Sequence, residues 1–210
     1  MHHLALNPGI LVLKQPGPLF GASPAGVAQT HDMEFFLRYF VEVELPMAVL
    51  ETALDALPAE WLVAVANRAH DPALGFMLEA DPHAADDLAG AVVVLAMEPA
   101  ARHGSTSIRT MAWALVGPQT ARPLLEADLE VGSLGDRRSQ LAVAGRYYVP
   151  GSGTNRRIDR GTAQRVGEAT IKEFVDGLTN LLQTLVLGGS LSAASARALG
   201  AVPPASRLSA

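Results

Sequence analysis

The sequence predicts an α+β domain in which a curved antiparallel sheet wraps around one long C-terminal helix. In residues 140–149 apolar side chains alternate with other residues, which is typical of a half-buried strand. From Val166 to Leu185 the apolar positions instead recur at helical spacing, which predicts an amphipathic helix of about seven turns. Strand-like segments joined by short connections precede both, and such strands pair antiparallel. One helix cannot fill a strongly bent sheet, so we expect an apolar cavity between them.

The first strand is predicted in "EFFLRYFVEVELP", which follows Met33. Apolar residues alternate with charged ones in this segment, so one face of the strand is expected to be exposed to solvent. Pro46 then begins a helix, in the first turn of which proline is tolerated. The segments "MAVLETALDAL" and "AEWLVAVANRA" are predicted to be two short helices that are hinged at Pro58.

Five further segments are assigned as strands, and turn-rich pieces such as "DPHAADD" and "PAARHGS" separate them. They are "LGFMLEA", in which the alternation is weak, and then "GAVVVLAME", "SIRTMAWALVG", "PLLEADLEVGSL" and "SQLAVAGRYYVP". In the fourth of these, Glu126, Asp128 and Glu130 alternate with apolar residues. We interpret the three carboxylates as a solvated strand face and not as an acid–base pair.

The two ends differ in composition from the middle of the chain. Residues 1–32 contain Pro8, Pro16, Pro18 and Pro24, so we predict an irregular N-terminal extension, and Met33 is a candidate for the biological start. Residues 33–189 form the predicted domain, and the Ala/Ser/Pro-rich residues 190–210 are predicted to be a disordered tail. The apolar run at residues 10–13 has no basic region before it, so we expect a cytoplasmic protein.

The composition limits the classes of partner. The chain has 210 residues, of which 49% are hydrophobic, and this supports one sizeable core. Its net charge of −5 argues against binding of nucleic acid, which requires a basic surface. The longest apolar runs, such as residues 91–97, are too short for a transmembrane segment. With no cysteine, the chain has no thiolate for metal binding or catalysis. The sequence leaves open whether the protein forms a homodimer.

The histidines and loops carry no recognisable site. We predict that His70, His83 and His103 fall in loops, and that Asp71 is a turn or cap residue. No two histidines have the spacing of a metal site, so we expect neither metal nor cofactor. The loop "GSGTNRRIDRG" has neither the nucleophile motif Gly-x-Ser-x-Gly nor the Gly-Lys-Ser/Thr ending of a phosphate loop.

The candidate ligand-binding residues are those that strand or helix periodicity directs towards the cavity. They are Tyr39, Arg109, Met111, Trp113, Tyr147, Phe174 and Leu178. Arg109 is the best candidate to meet a carboxylate or enolate oxygen, although an arginine near a strand end usually reaches solvent. A buried tyrosine commonly bonds only to the backbone. Gly145 and Gly167 are expected to leave room for the ligand.

Three arginines crowd the start of the long helix. Arg156, Arg157 and Arg160 lie where the helix dipole disfavours positive charge, and Asp159 can cap the helix. We interpret them either as an anion-recognising rim at the cavity mouth or as a solvated loop that pairs with Asp136 or Asp159.

The order of elements and the segment "LAVAGRYYVPGSGTNRRIDRGTAQRVGEATIKEFVDGL" resemble bacterial members of the START/polyketide-cyclase-like (SRPBCC) superfamily, whose helix-grip fold includes the Bet v 1 allergens. The corresponding positions are Gly145, Tyr147, Pro150, Gly151, Gly153, Asp159 and Val166. The resemblance covers residues 33–187. It implies a helix-grip domain. Members of this superfamily bind lipids, sterols, polyketides or hormones, some cyclise or dehydrate substrates, and some act on protein partners, so the shared fold does not decide among these functions.

Three functions remain open. The first is a carrier of a hydrophobic small molecule, which the apolar inward positions favour. The second is an enzyme of the cyclase or dehydratase type, in which Arg109 and a tyrosine stabilise an enolate. The third is a protein-interaction subunit with a vestigial cavity.

Overall fold

The computed structural model describes residues 33–80, 92–117, 121–149 and 159–188. These residues form six strands and three helices. In chain order they are β1 (Met33–Val43), α1 (Met47–Ala56), α2 (Ala59–Ala80), β2 (Val92–Met97), β3 (Ala101–His103), β4 (Thr106–Val116), β5 (Ala121–Ser133), β6 (Ser139–Val149) and α3 (Arg160–Gly188).

All six strands belong to one antiparallel sheet with the order β1-β6-β5-β4-β2, and β3 pairs with β4. The first and last strands of the chain are therefore neighbours, and Met33 pairs with Val149. The register between β4 and β5 shifts between Trp113 and Ala114. Such an irregularity increases the local twist, which helps the sheet to curve.

The two faces of the sheet differ as the alternation predicts. Residues such as Phe35, Leu129 and Val143 are buried on the inner face. On the outer face charged residues pair across strands, as Arg38 does with Glu130 at 3.5 Å and Arg146 does with Glu34 at 3.4 Å. One face therefore packs on the core and the other meets solvent.

Helix α3 lies against the inner face, and its apolar stripe is buried along most of its length. Its buried residues include Ile171, Phe174, Leu178 and Leu182. Asp159 caps the helix, because its carboxylate accepts hydrogen bonds from the Thr162 backbone N–H at 2.9 Å and from the Thr162 hydroxyl at 2.6 Å. A curved antiparallel sheet around a long C-terminal helix, with two helices after β1, is the helix-grip arrangement, and the predicted fold class is confirmed.

The second helix is longer than predicted. Helix α2 continues through Pro72 to Ala80, so "LGFMLEA" is not a strand and the second helix is not short. Proline has no backbone N–H and cannot bond to the carbonyl four residues before it. The helix nevertheless continues, because Ala69 and Ala73 on either side of Pro72 are buried. Local propensity alone would have ended it.

Three smaller predictions are also wrong. His70 and Asp71 lie within α2 and not in a loop or turn. His103 belongs to β3, which forms a hairpin with β4 within the segment that was interpreted as a turn. A strand of three residues is too short to show an alternation, whereas pairing with β4 supplies its hydrogen bonds.

The remaining organisation of the chain stays a prediction. The N-terminal extension, the C-terminal tail, His83 and the turn at residues 150–153 lie outside the described residues. Among the helices that the structure describes, none is both long enough and apolar enough to cross a bilayer.

Candidate functional site

The inward row of β4 carries most of the chemistry of the interior. Ser107, Arg109, Met111 and Trp113 occupy alternate positions of this strand, and all four are buried. Arg109 pairs in register with Leu129 of β5, and Trp113 lies between Leu95 and Leu125. The sheet thus places a serine, an arginine and an indole along one line on its apolar concave face.

Three polar atoms of this row have no hydrogen-bond partner in the described part of the protein. They are Ser107 Oγ, Arg109 Nη1 and Trp113 Nε1. Each of these groups can donate a hydrogen bond, and the arginine and indole groups can only donate. An unsatisfied buried donor costs about 1–3 kcal/mol, and native interiors contain few of them. The row is therefore suited to groups that accept hydrogen bonds.

Arg109 does not reach solvent as a strand-end arginine commonly does. Only 3% of its side chain is exposed, and its Nη2 donates to Asp55 Oδ1 of α1 at 2.5 Å. One turn earlier on α1, Glu51 accepts a hydrogen bond from Arg102 of β3 at 2.6 Å. Helix α1 is therefore attached to β3 and β4 by two ion pairs, one of which engages a terminal nitrogen of the buried Arg109 guanidinium.

Trp113 is packed against the long helix. Its ring and that of Phe174 are 4.7 Å apart between centroids and meet edge to face. Leu178 is also fully buried on α3. The helix residues that we predicted to face the ligand thus lie on the side of α3 that meets the sheet, and an edge-to-face aromatic contact stabilises this part of the core.

Tyr147 lies in a second polar cluster, between β6, α2 and α3. Its hydroxyl is 3.5 Å from Nδ1 of His70, whose Nε2 has no partner among the described residues. Burial lowers the pKa of His70 to about 4 and raises the pKa of Tyr147 to about 12, although a hydrogen bond with Thr170 works against the second shift. Both groups are neutral at pH 7.

Tyr39 lies apart from both clusters, at the edge of the sheet. Its hydroxyl donates to Asp176 Oδ1 at 3.2 Å, and Lys172 Nζ lies 5.6 Å from the centroid of its ring. An open groove of about 450 Å³ runs here between β1 and α3. Charged side chains such as Arg38, Glu168 and Lys172 line it, so it is not the apolar cavity that we predicted.

Of the three arginines proposed as an anion rim, only Arg160 falls within the described residues. It is exposed at the start of α3, and its guanidinium carbon lies 4.9 Å from the centroid of the Phe35 ring. This is a cation–π contact. Arg156 and Arg157 lie outside the described residues, so the rim itself stays a prediction.

The expectation that Gly145 and Gly167 leave room for a ligand is wrong. A Cβ on Gly145 would lie 2.2 Å from the Glu126 carbonyl oxygen, and one on Gly167 would lie 2.8 Å from Leu37 Cδ1. Both glycines are positions of close approach, where residues of neighbouring strands already fill the space.

Sequence reasoning missed Asp55, Ser107 and His70. Ser107 has the same strand parity as Arg109, so the alternation could have revealed it. Nothing local indicates that Asp55 meets Arg109, since 54 residues separate them. His70 was missed because the second helix was predicted to end one residue before it, at Ala69, whereas α2 continues to Ala80.

The described residues contain no cluster of three or more histidine or acidic side chains that could hold a metal ion. No protein-family model and no curated protein matches the chain. Among solved structures, the chain is similar to the Zhui aromatase/cyclase from Streptomyces sp. R1128, with 13% sequence identity and a TM-score of 0.35. The similarity covers 76% of this chain and 100% of that one.

Proposed function

We propose that the protein binds a hydrophobic small molecule that carries an oxygen acceptor, between the concave face of the sheet and α3. A lipid or polyketide-like molecule has this character, and the binding needs no cofactor. The proposal includes a relationship to the START/polyketide-cyclase-like superfamily and a cytoplasmic location. The proposal leaves open whether the protein is a monomer or a homodimer.

The observation that carries the proposal is the row of unsatisfied donors on β4. Ser107, Arg109 and Trp113 each present a buried group without a partner in the described chain, and apolar residues surround them. An apolar body would match the surroundings, and carbonyl or carboxylate oxygens would match the donors. A charge-assisted bond to Arg109 would orient such a ligand.

The test compares two aromatic probes of nearly the same shape, the anion 2-naphthoate and the neutral ketone 2-acetylnaphthalene. Both should bind to the parent protein in a calorimetric titration. Arg109→Met keeps the apolar volume of the side chain but removes its charge, and the Asp55 carboxylate that loses its partner is 70% exposed, so water can solvate it. It should weaken the binding of 2-naphthoate about 10- to 100-fold, as expected for a lost charge-assisted hydrogen bond. The affinity for the ketone should fall much less.

Arg102→Met is the matched control, because Arg102 also pairs with α1 but 60% of its side chain is exposed. It should leave the affinity for both probes unchanged. If the parent protein binds neither probe, nor an environment-sensitive apolar dye at micromolar concentration, the binding function is wrong and the protein-interaction subunit becomes the leading alternative.

A second candidate function, an enzyme of the cyclase or dehydratase type, draws support from the pair of His70 and Tyr147. Neutral His70 can accept a proton, and protonated Tyr147 can donate a hydrogen bond to a developing oxyanion. The test is turnover of a poly-β-ketone substrate. If the parent protein converts the substrate and Tyr147→Phe does not, the protein is an enzyme and not only a binding protein.

A further inference from the structure

The ion pair between Arg109 and Asp55 joins the interior of the domain to its surface. The Arg109 side chain is 3% exposed, whereas that of Asp55 is 70% exposed. The carboxylate thus reaches the guanidinium from the solvent side, at the place where α1 covers the sheet.

The ion pair with Asp55 does not satisfy all the hydrogen-bond donors of the Arg109 guanidinium. Nη2 donates to Asp55 Oδ1, while Nη1 has no partner within the described chain. Ser107 Oγ, two positions along the same inward row, also lacks a partner there. A buried arginine is well compensated when a carboxylate binds it through two parallel hydrogen bonds, so the site retains capacity for a further acceptor.

We propose that Asp55 is a built-in competitor, which holds the Arg109 guanidinium in the ligand-free protein and opposes the binding of anionic ligands there. The inference rests on the proposed binding function and deepens it, because it states what sets the preference between acidic and neutral ligands. The ligand class is an apolar molecule that ends in a carboxylate or an enolate.

The physical reason is electrostatic. An incoming carboxylate either replaces Asp55 on Nη2, which breaks an existing ion pair, or binds Nη1 beside it, which brings two negative charges together. Both routes weaken the binding of anions and leave the binding of neutral ligands nearly unaffected. Asp55 therefore lowers the affinity for acids selectively.

The test uses Asp55→Asn, which keeps a hydrogen-bond acceptor of the same size and removes the negative charge. Glu51→Gln is the matched control, because Glu51 forms the other ion pair of α1, with Arg102, and not with Arg109. The affinities for 2-naphthoate and 2-acetylnaphthalene are measured by calorimetry on the full chain, and the ratio of the two dissociation constants is compared between variants.

Asp55→Asn should shift this ratio about tenfold in favour of 2-naphthoate, and Glu51→Gln should leave it within twofold of the parent value. An unchanged ratio in Asp55→Asn, or a shift towards the ketone, overturns the inference while the binding function stands. If neither probe binds to the parent or to Asp55→Asn, the binding function itself fails.

Asp55→Asn could also lower stability, because it leaves a buried charge without its counter-ion. Thermal unfolding with each probe then provides the second measurement. 2-Naphthoate should raise the melting temperature of Asp55→Asn more than that of the parent, and the ketone should raise both equally. Equal shifts with 2-naphthoate would contradict the competitor role.

Discussion

At the scale of single residues, several buried polar side chains have a hydrogen-bond partner in the described protein for only some of their polar atoms. His70 is 2% exposed, and among the described residues only one of its ring nitrogens has a partner, the hydroxyl of Tyr147. Removal from water disfavours the charged imidazolium, which is why burial lowers the pKa of His70 to about 4. The cluster therefore makes the stability of the fold depend on pH.

We predict that His70 destabilises the folded protein as the pH falls from about 6.5 to about 4. In this window the unfolded chain binds a proton at His70 and the folded protein does not, so stability is fully present above the window and declines within it. The difference between pKa values of 6.5 and about 4 corresponds to roughly 3 kcal/mol. Urea unfolding of the parent and of His70→Gln at pH 7 and pH 4.5 measures this contribution.

The same substitution at the exposed His103 is the control, and it should retain the pH dependence of the parent. His70→Gln should show a clearly smaller loss between the two pH values. An identical loss in His70→Gln and the parent would mean that His70 is charged, or reaches water, in the folded protein.

At the scale of elements, the distance between α3 and the sheet depends on a helical glycine. A Cβ at Gly167 would lie 2.8 Å from Leu37 Cδ1 and 2.9 Å from Tyr147 Cδ1, closer than side-chain carbons normally approach. The helix can thus lie directly on β1 and β6, at the cost of a residue with poor helix propensity. Close packing outweighs local propensity here.

Gly167→Ala should therefore destabilise the protein by about 1–3 kcal/mol, because the added methyl group overpacks the contact with a rigid tyrosine ring. Gly75→Ala in α2 is the control, since a Cβ there would meet nothing within 4 Å. The control should gain up to about 1 kcal/mol from improved helix propensity. Chemical denaturation of both variants measures the difference, and a stabilised Gly167→Ala would show that the helix stands away from the sheet.

At the scale of the whole molecule, the long helix holds the sheet and the two smaller helices in one core. Leu178 and Leu181 are fully buried on α3. Gly177 of the same helix lies close to α2, since a Cβ added at this position would be 3.2 Å from Cγ1 of Val65. The sheet curves over the other side of this helix. Loss of α3 packing should consequently unfold the whole domain and not one part of it.

Leu178→Asp should destabilise the domain by more than about 4 kcal/mol, because it buries a charge without a partner and leaves a cavity. The same substitution at Leu187, near the end of α3, should change stability by less than about 1 kcal/mol, since that side chain is 82% exposed. Circular dichroism during thermal unfolding distinguishes the two. A melting temperature of Leu178→Asp within a few degrees of the parent would contradict the central role of α3.

The sequence alone determined the parts of this fold that depend on a local period. Alternation placed β1, β4, β5 and β6, and helical spacing placed the buried stripe of α3, because a strand or helix with one buried face must repeat its apolar residues at the period of that face. The same parity directed Arg109 and Trp113 inward. These patterns need no knowledge of what the face packs against.

Only the tertiary structure decided which elements and side chains meet. The extension of α2 through Pro72, the pairing of the short β3 and the close fit at Gly145 and Gly167 all reflect neighbours that are distant in the chain. The contact of Arg109 with Asp55 spans 54 residues, and that of Tyr147 with His70 spans 77. Such contacts depend on how the faces are brought together in three dimensions, and a sequence period records only that a face is buried.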